Sequence, residues 1–155
     1  MIDIVRYRTN NVDMKHEVDL IIYLISKIRE NANRFIVAEL KSHGLENLAP
    51  VHGDILMVLF SHNELSMKQI SEFADRKKST VTTLVEKLVT LGYARKKTDI
   101  YDNRSSIVSL TDEGKNLRGS LIEISEKLIE KAYKDMPLKE RKQLVKSLKK
   151  ILDNW

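Results

Sequence analysis

The middle of the chain carries short hydroxyl side chains and lysines at helical spacing. They are Lys77, Lys78, Ser79, Thr80, Thr82, Thr83 and Lys87. At about 100° per residue, the apolar side chains of this stretch fall on one face, and Ser79, Thr82 and Thr83 point the opposite way. Short hydroxyl side chains let a helix approach DNA closely and bond to phosphates or base edges, and lysines can reach phosphates. The pattern predicts a helix that enters a major groove.

A second basic group follows this predicted helix. It comprises Arg95, Lys96, Lys97 and Arg104, with Asp102 two residues before Arg104. Two short β-like stretches, 93–97 and 105–110, flank a polar loop, which predicts a hairpin with Arg104 at its tip. An arginine on a thin protrusion can enter a minor groove, whose negative potential favours it. The hairpin is therefore a second predicted contact with DNA.

A short predicted helix precedes the hydroxyl-bearing one. Ser66 and Gln69 have the spacing of a capping box, so this helix should start at Ser66 and run to about Ala74. Ser66 and Lys68 are therefore the candidate DNA-binding residues at its start. A tight break at residues 75–78 then separates the two helices.

Charge and composition narrow the functional classes. The chain has 155 residues and a net charge of +5, and residues 76–104 alone hold 8 basic and 3 acidic side chains. The absence of cysteine excludes disulfides, thiol redox sensing and thiolate metal sites. The N-terminus lacks a signal-peptide layout, and the longest apolar runs, 21–25 and 55–60, are too short to span a bilayer. We expect a cytoplasmic protein with no membrane partner and no cofactor.

Three other functional classes can be weighed against DNA binding. An enzyme is not expected, because the four histidines lie in no HExxH motif, and no phosphate loop or nucleophile elbow is present. Glu39 and His43 share a helical face, so with Glu46 they are the candidate ligands of a zinc-type, metal-responsive regulator. A polar helix end explains these residues more simply. A protein-binding winged domain is the third alternative, but basic residues on both helix and hairpin would have no purpose against a neutral partner.

The remaining elements are predicted from periodicity and from the breaks. A long helix covers residues 13–42 and ends at Gly44, and a short one covers residues 52–61, started near Pro50. The second DNA-binding helix runs from 79 to 91 and closes at Gly92. Thr111 caps a helix that should reach about residue 135, and Pro137 starts a last one. The fold class is mainly α with a small β-hairpin, a winged helix-turn-helix with flanking N- and C-terminal helices.

Two motifs lie in and around the predicted DNA-binding elements. One is Asp102-x-Arg104 followed by Leu110-Thr111-x-x-Gly114, and the other is the segment 78–88 with Leu91-Gly92-Tyr93 after it. Together they resemble the MarR (multiple-antibiotic-resistance regulator) family of transcriptional regulators. The resemblance implies a homodimer in which residues 1–48 and 111–155 form the helical dimerisation region and residues 49–110 the DNA-binding domain. It also implies a repressor on a pseudo-palindromic operator, an Asp102 that steadies Arg104, and release by a small aromatic or anionic effector.

The sequence departs from the family pattern in the turn. Asp75 stands where Gly is usual, Arg76 where an apolar residue is usual, and Lys77 where a Ser-like cap is usual. Asp can adopt the left-handed conformation that a tight turn needs, although less easily than Gly. Arg76 should either add charge on the DNA side or lie along the surface. Thr83 replaces a longer basic residue, which leaves the base readout at that point open.

Overall fold

The computed structural model describes residues 20–98 and 106–155. Contacts divide the chain after Phe35 into two units, each described by itself below. Ten elements follow one another along the described residues. They are α1 (Ile21–Ser42), α2 (Pro50–Phe60), β1 (Leu65–Ser66), α3 (Met67–Phe73), α4 (Lys78–Thr90), β2 (Ala94–Thr98), β3 (Ser106–Leu110), α5 (Asp112–Asn116), α6 (Arg118–Ala132) and α7 (Leu138–Leu152).

The described part of the first unit, residues 20–35, is the beginning of α1. Its helical surface carries ion pairs at i,i+3 and i,i+4 spacing, Lys27–Glu30 at 2.9 Å and Arg34–Glu30 at 3.8 Å. Three isoleucines, Ile22, Ile25 and Ile28, are exposed. The other described residues of this unit do not cover the apolar surface of the helix.

The core of the second unit lies among α2, α3, α4 and a small sheet. Its fully buried side chains are Ile55, Leu56, Leu59, Ile70, Val81, Val85, Leu88 and Val108. The sheet is antiparallel with strand order β1-β3-β2, and Val108 pairs with Leu65 on one side and with Lys96 on the other. The predicted fold class, mainly α with a small β-hairpin (the wing, strands β2 and β3), is confirmed.

Two helix ends use glycine in the left-handed conformation. Gly44 after α1 has φ +70°, and Gly92 after α4 has φ +78°. At each end the following residue donates its N–H to a carbonyl five residues back: Leu45 to Leu40, and Tyr93 to Leu88, at 2.8 and 2.9 Å. This is the Schellman arrangement, in which the residue after the glycine also packs an apolar side chain against the helix. Both predicted glycine stops are confirmed.

Three details differ from the sequence prediction. The helix predicted from Thr111 to about residue 135 is divided at Leu117 into α5 and α6, and α6 ends at Ala132. The cause is local: the Leu117 N–H bonds to Gly114 only three residues back, at 3.3 Å, which tightens the turn. A third strand, β1, was not predicted. The part of the long helix predicted for residues 13–19 lies outside the described residues. None of the described helices is sufficiently long and apolar to cross a membrane.

Candidate nucleic-acid interface

Helix α3, which precedes α4, starts as the sequence predicts. Ser66 Oγ accepts from the Gln69 N–H at 3.2 Å, and Gln69 Oε1 accepts from the Ser66 N–H at 2.8 Å. The reciprocal bonds satisfy two donors that would otherwise be unpaired at the start of α3. Lys68 is exposed in the first turn of α3, and its Nζ lies 3.8 Å from Glu72 Oε1. An exposed ion pair at this distance restrains the lysine only weakly.

The turn between α3 and α4 contains a left-handed aspartate. Asp75 has φ +49°, so it adopts the conformation for which glycine is usual, as predicted. Of the two expectations for Arg76, the structure agrees with the second: its side chain lies along the protein surface and is held there by an ion pair. Its guanidinium Nη2 donates to Asp54 Oδ2 on α2. This ion pair was not predicted, because the two residues are 22 positions apart.

Helix α4 has one buried and one exposed face. Val81, Val85 and Leu88 are buried at 0% exposure and Leu84 at 8%. The side chains Lys77, Lys78, Ser79, Thr80, Thr83, Glu86 and Lys87 are exposed, and Thr82 is partly so. The structure therefore gathers all seven candidates of this helix on or beside the solvent side, with Lys77 as the N-cap.

Two threonine hydroxyls on the exposed side of α4 already donate hydrogen bonds within the helix. Thr82 Oγ1 donates to the Lys78 carbonyl at 2.9 Å, and Thr83 Oγ1 to the Ser79 carbonyl at 3.3 Å. Each hydroxyl keeps its lone pairs as acceptors and can rotate towards a new partner. Their methyl groups meanwhile remain available for contact with thymine.

The three basic side chains of β2 do not share one face. Because side chains alternate along a strand, Lys96 lies on the face of buried Ala94, and Arg95 and Lys97 lie on the opposite face. Lys97 Nζ pairs with Glu64 Oε1 at 2.7 Å, and Arg95 Nε donates to Ser109 Oγ at 3.1 Å. Sequence alone offered no signal for Glu64, which is 33 positions from Lys97. Asp102 and Arg104 lie outside the described residues.

Two of the three candidate zinc ligands, Glu39 and His43, are engaged by residues of α6. Lys127 Nζ lies 3.1 Å from Glu39 Oε2 and 2.8 Å from Glu123 Oε1, and His43 Nε2 lies 3.5 Å from Glu123 Oε2. Hydrogen bonds from Lys127 and His43 lower the pKa of Glu123. An ammonium thus lies between two carboxylates where a metal ion would need them. Across residues 20–98 and 106–155, no cluster of three or more metal-binding side chains is found.

A cavity of about 310 Å³ opens where α2 ends and α5 begins. Leu59, Phe60, His62, Asn63, Leu110, Lys115 and Arg118 line it. Its apolar wall and cationic rim are therefore adjacent. Lys115 Nζ forms an ion pair with Asp112 Oδ1 at 2.8 Å, and Arg118 has no ion-pair partner in the described part of the chain.

Comparison with known proteins agrees with this geometry. The sequence model of the MarR family matches residues 46–105, from the loop before α2 to the hairpin. The HTH-type transcriptional regulator SarZ of Staphylococcus haemolyticus is 27% identical over 100 residues, which are 64% of this chain and 67% of SarZ.

Solved structures share the fold over nearly their whole length. The MarR protein from Peptoclostridium difficile superposes with a TM-score of 0.80 and 21% identity, covering 95% of this chain and 94% of that one. The S. aureus MepR–DNA complex gives 0.79 and 21%, covering 86% and 96%. At such identities the likeness establishes the fold.

The capped helix, left-handed turn, two-faced helix and antiparallel wing define a winged helix-turn-helix protein. The family match spans these same elements. The chain is similar to the MarR family over residues 46–105, as the resemblance of its motifs predicts.

Proposed function

We propose that the protein is a transcriptional regulator that binds double-stranded DNA sequence-specifically as a homodimer. The observation that carries the proposal is the exposed hydroxyl face of α4, which is directed away from the four buried side chains of the same helix. A helix of this kind can enter a major groove without a change in the core. The proposal is supported by the similarity of residues 46–105 to the MarR family, by SarZ, a transcriptional regulator, and by MepR, a structural neighbour that was solved with DNA.

The side chains divide into three roles in this proposal. Ser79, Thr82 and Thr83 face base edges, because they lie on the exposed side of α4 with short reach. Phosphates are contacted by Lys77, Lys78, Thr80, Lys87, Ser66 and Lys68, at the rim of that face and at the start of α3. The wing contributes Arg95, Lys96, Lys97 and Arg104, of which Lys97 must exchange Glu64 for a phosphate. The resemblance to the MarR family implies that Asp102 steadies Arg104.

The homodimer is supported by α7, which has no buried residue in the chain. Leu144, Val145 and Leu148 are 40%, 39% and 36% exposed although they lie within one turn of each other. An amphipathic helix left uncovered in this way is stable when another surface removes its apolar face from water. A second copy of the chain supplies that surface, and its two-fold symmetry then requires a pseudo-palindromic operator. Bound to such a site, the protein acts as a repressor in the cytoplasm.

The cavity beside α5 is the proposed effector site. Its Arg118 and Lys115 suit a carboxylate, and Leu59, Phe60 and Leu110 suit an apolar or aromatic body of a few heavy atoms. Benzoate and its neutral isostere benzamide are the probes. Benzoate should bind and release DNA, benzamide should not, and the Arg118→Met variant should lose the difference. Equal effects of the two probes would contradict an anion site.

Selection from a random duplex pool by the purified protein tests DNA reading directly. We expect an enriched pseudo-palindrome with half-sites about 10 base pairs apart, as two reading helices on one side of the duplex require. An unenriched pool would refute sequence-specific binding. A salt titration of the selected duplex then tests the wing: Arg104→Ala should reduce the log–log salt slope by about one unit. An unchanged slope would remove Arg104 from the contacts.

A further inference from the structure

The end of α3 is closed differently from the ends of α1 and α4. All three ends have the left-handed residue and the backbone bond that spans five residues, here from the Arg76 N–H to the Ser71 carbonyl at 3.0 Å. After α1 and α4 the residue that donates this bond is Leu45 or Tyr93, whose side chains are buried or partly buried. After α3 it is an arginine. An apolar contact normally supports this position, so something else must support it here.

Polar contacts hold Arg76 on three sides. Its N–H donates to the Ser71 carbonyl, its own carbonyl accepts from Ser71 Oγ, and its Nη2 is paired with Asp54 on α2. The guanidinium Nε is shielded from solvent and has no hydrogen-bond partner within the described residues. The side chain is therefore directed along the protein and engaged there.

Arg76 is next to the N-cap of α4, the helix proposed to read DNA. Lys77 is the N-cap of α4, in extended conformation with ψ 142°, and helical backbone begins at Lys78. Since Asp54 belongs to a helix with three fully or nearly fully buried leucine and isoleucine side chains, it is a fixed point. A bond from this point to Arg76 sets where α4 starts and how its exposed face is aimed.

We propose that the Arg76–Asp54 ion pair is a latch that positions α4 for reading DNA, and that Arg76 is a positioning residue rather than a phosphate contact. The proposal rests on the proposed DNA-binding function. It predicts that removing the charge of Asp54 weakens binding to the selected duplex. If Asp54 served only to neutralise Arg76, the loss of this negative charge should instead strengthen binding to DNA.

The test compares Asp54→Asn with Glu46→Gln, which removes one negative charge from an exposed residue with no ion pair in the described chain. Binding is measured on the selected duplex and on a scrambled duplex of equal composition. Asp54→Asn should lose about threefold in affinity for the selected duplex relative to Glu46→Gln, the scale of a partly exposed ion pair, with the salt slope unchanged. Asp54→Glu keeps the carboxylate and should recover most of that affinity.

Hydrogen exchange of residues 75–80, measured without DNA, provides the second readout. Exchange should be faster in Asp54→Asn than in Glu46→Gln, because the latch is open. Equal exchange in these two variants, or a selected-duplex affinity in Asp54→Asn equal to or above that of Glu46→Gln, would overturn the latch. Failure of the unmodified protein to bind any selected duplex would instead refute the proposed function, and the exchange comparison would still decide the latch.

Discussion

At the scale of single residues, Thr82 and Thr83 of α4 combine two properties. Each hydroxyl donates a hydrogen bond to the backbone of its own helix, and each side chain still has acceptor lone pairs and a methyl group. Such a side chain leaves no unpaired donor on the free surface and can still contact a base edge. Thr90, at the far end of α4, has the same bond, from Oγ1 to the Glu86 carbonyl at 2.9 Å.

Thr83 and Thr90 therefore form a matched pair for testing base readout. Thr83→Ala should reduce the preference for the selected duplex over a scrambled one by about 1 kcal/mol, a factor near five, while affinity for scrambled DNA changes little. Competition gel shifts measure the ratio. Thr90→Ala, which removes the same groups from the same helix, should leave it unchanged. An unaltered ratio in Thr83→Ala would exclude this residue from base readout.

His52 should make folding stability depend on pH. Its Nδ1 accepts from the Ala49 N–H at 2.9 Å at the start of α2, and burial lowers the pKa of the imidazole below its ordinary value of 6.5. The unfolded chain therefore binds this proton more readily, so the stability contributed by neutral His52 is complete above pH 6.5 and falls as the pH drops below it. Urea unfolding at several pH values measures the slope.

The control for this prediction is a variant that keeps the cap without the titration. His52→Gln can accept from the Ala49 N–H through its amide oxygen, and it should unfold with a shallower pH dependence than the unmodified protein. His62→Gln, at an exposed position, should retain most of the slope. A slope identical in His52→Gln and the unmodified protein would contradict the assignment to His52.

At the scale of elements, the wing and the C-terminal helices meet at a close contact. Thr111 caps α5 through its bond from the Gly114 N–H at 3.0 Å, and its own N–H donates to the Tyr93 carbonyl at 3.1 Å. A Cβ added at Gly114 would collide with that same carbonyl oxygen. The glycine of the Leu110-Thr111-x-x-Gly114 motif is thus required by close approach of two backbones rather than by an unusual φ.

Two glycine substitutions on neighbouring helices should have opposite effects. Gly114→Ala should destabilise the protein by about 3 kcal/mol, because the contacting atom is backbone and cannot move aside. Gly119→Ala on α6, where nothing lies within 4 Å of the added Cβ, should stabilise it by about 0.5–1 kcal/mol. Chemical denaturation measures both. An unchanged free energy of unfolding in Gly114→Ala would contradict the close contact between Gly114 and the Tyr93 carbonyl.

The elements differ in how much of them could be predicted from sequence. The bounds of α3 and α4 followed from a capping box and an apolar stripe, which are local signals and were confirmed. Strand β1 has two residues, and only pairing with Ile107 and Val108 some forty positions later makes it a strand. The interruption at Leu117 was missed because no glycine or proline stands at that position; it is a tightened turn in which the Leu117 N–H bonds to the Gly114 carbonyl.

The candidate site divides in the same way. Which residues of α4 are exposed could be predicted from periodicity, and the structure agrees. That Lys97 is held by Glu64 and Arg76 by Asp54 could not, because ion pairs between distant residues leave no periodic trace. The roles assigned to all of these side chains towards DNA remain proposals.

At the scale of the whole molecule, the apolar face of α7 carries the assembly prediction. Leu144→Glu should convert the proposed dimer of 18.0-kDa chains into monomers, because a charge would enter the covered face. Gln143→Glu adds the same charge at the neighbouring exposed position and should leave the dimer intact. Sedimentation at micromolar concentration measures both variants. A monomeric unmodified protein would contradict the homodimer.

The junction at Gly114 has a mechanical consequence for regulation. Tyr93 follows the glycine that ends α4, and its carbonyl touches the first turn of α5, with no side chain between the two backbones. Because these two backbones are in direct contact, a small tilt of α5 must also move the C-terminal end of α4. In the proposed dimer, a molecule that displaces α5 would thus change the spacing of the two α4 helices and leave the shape of each DNA-binding domain unchanged.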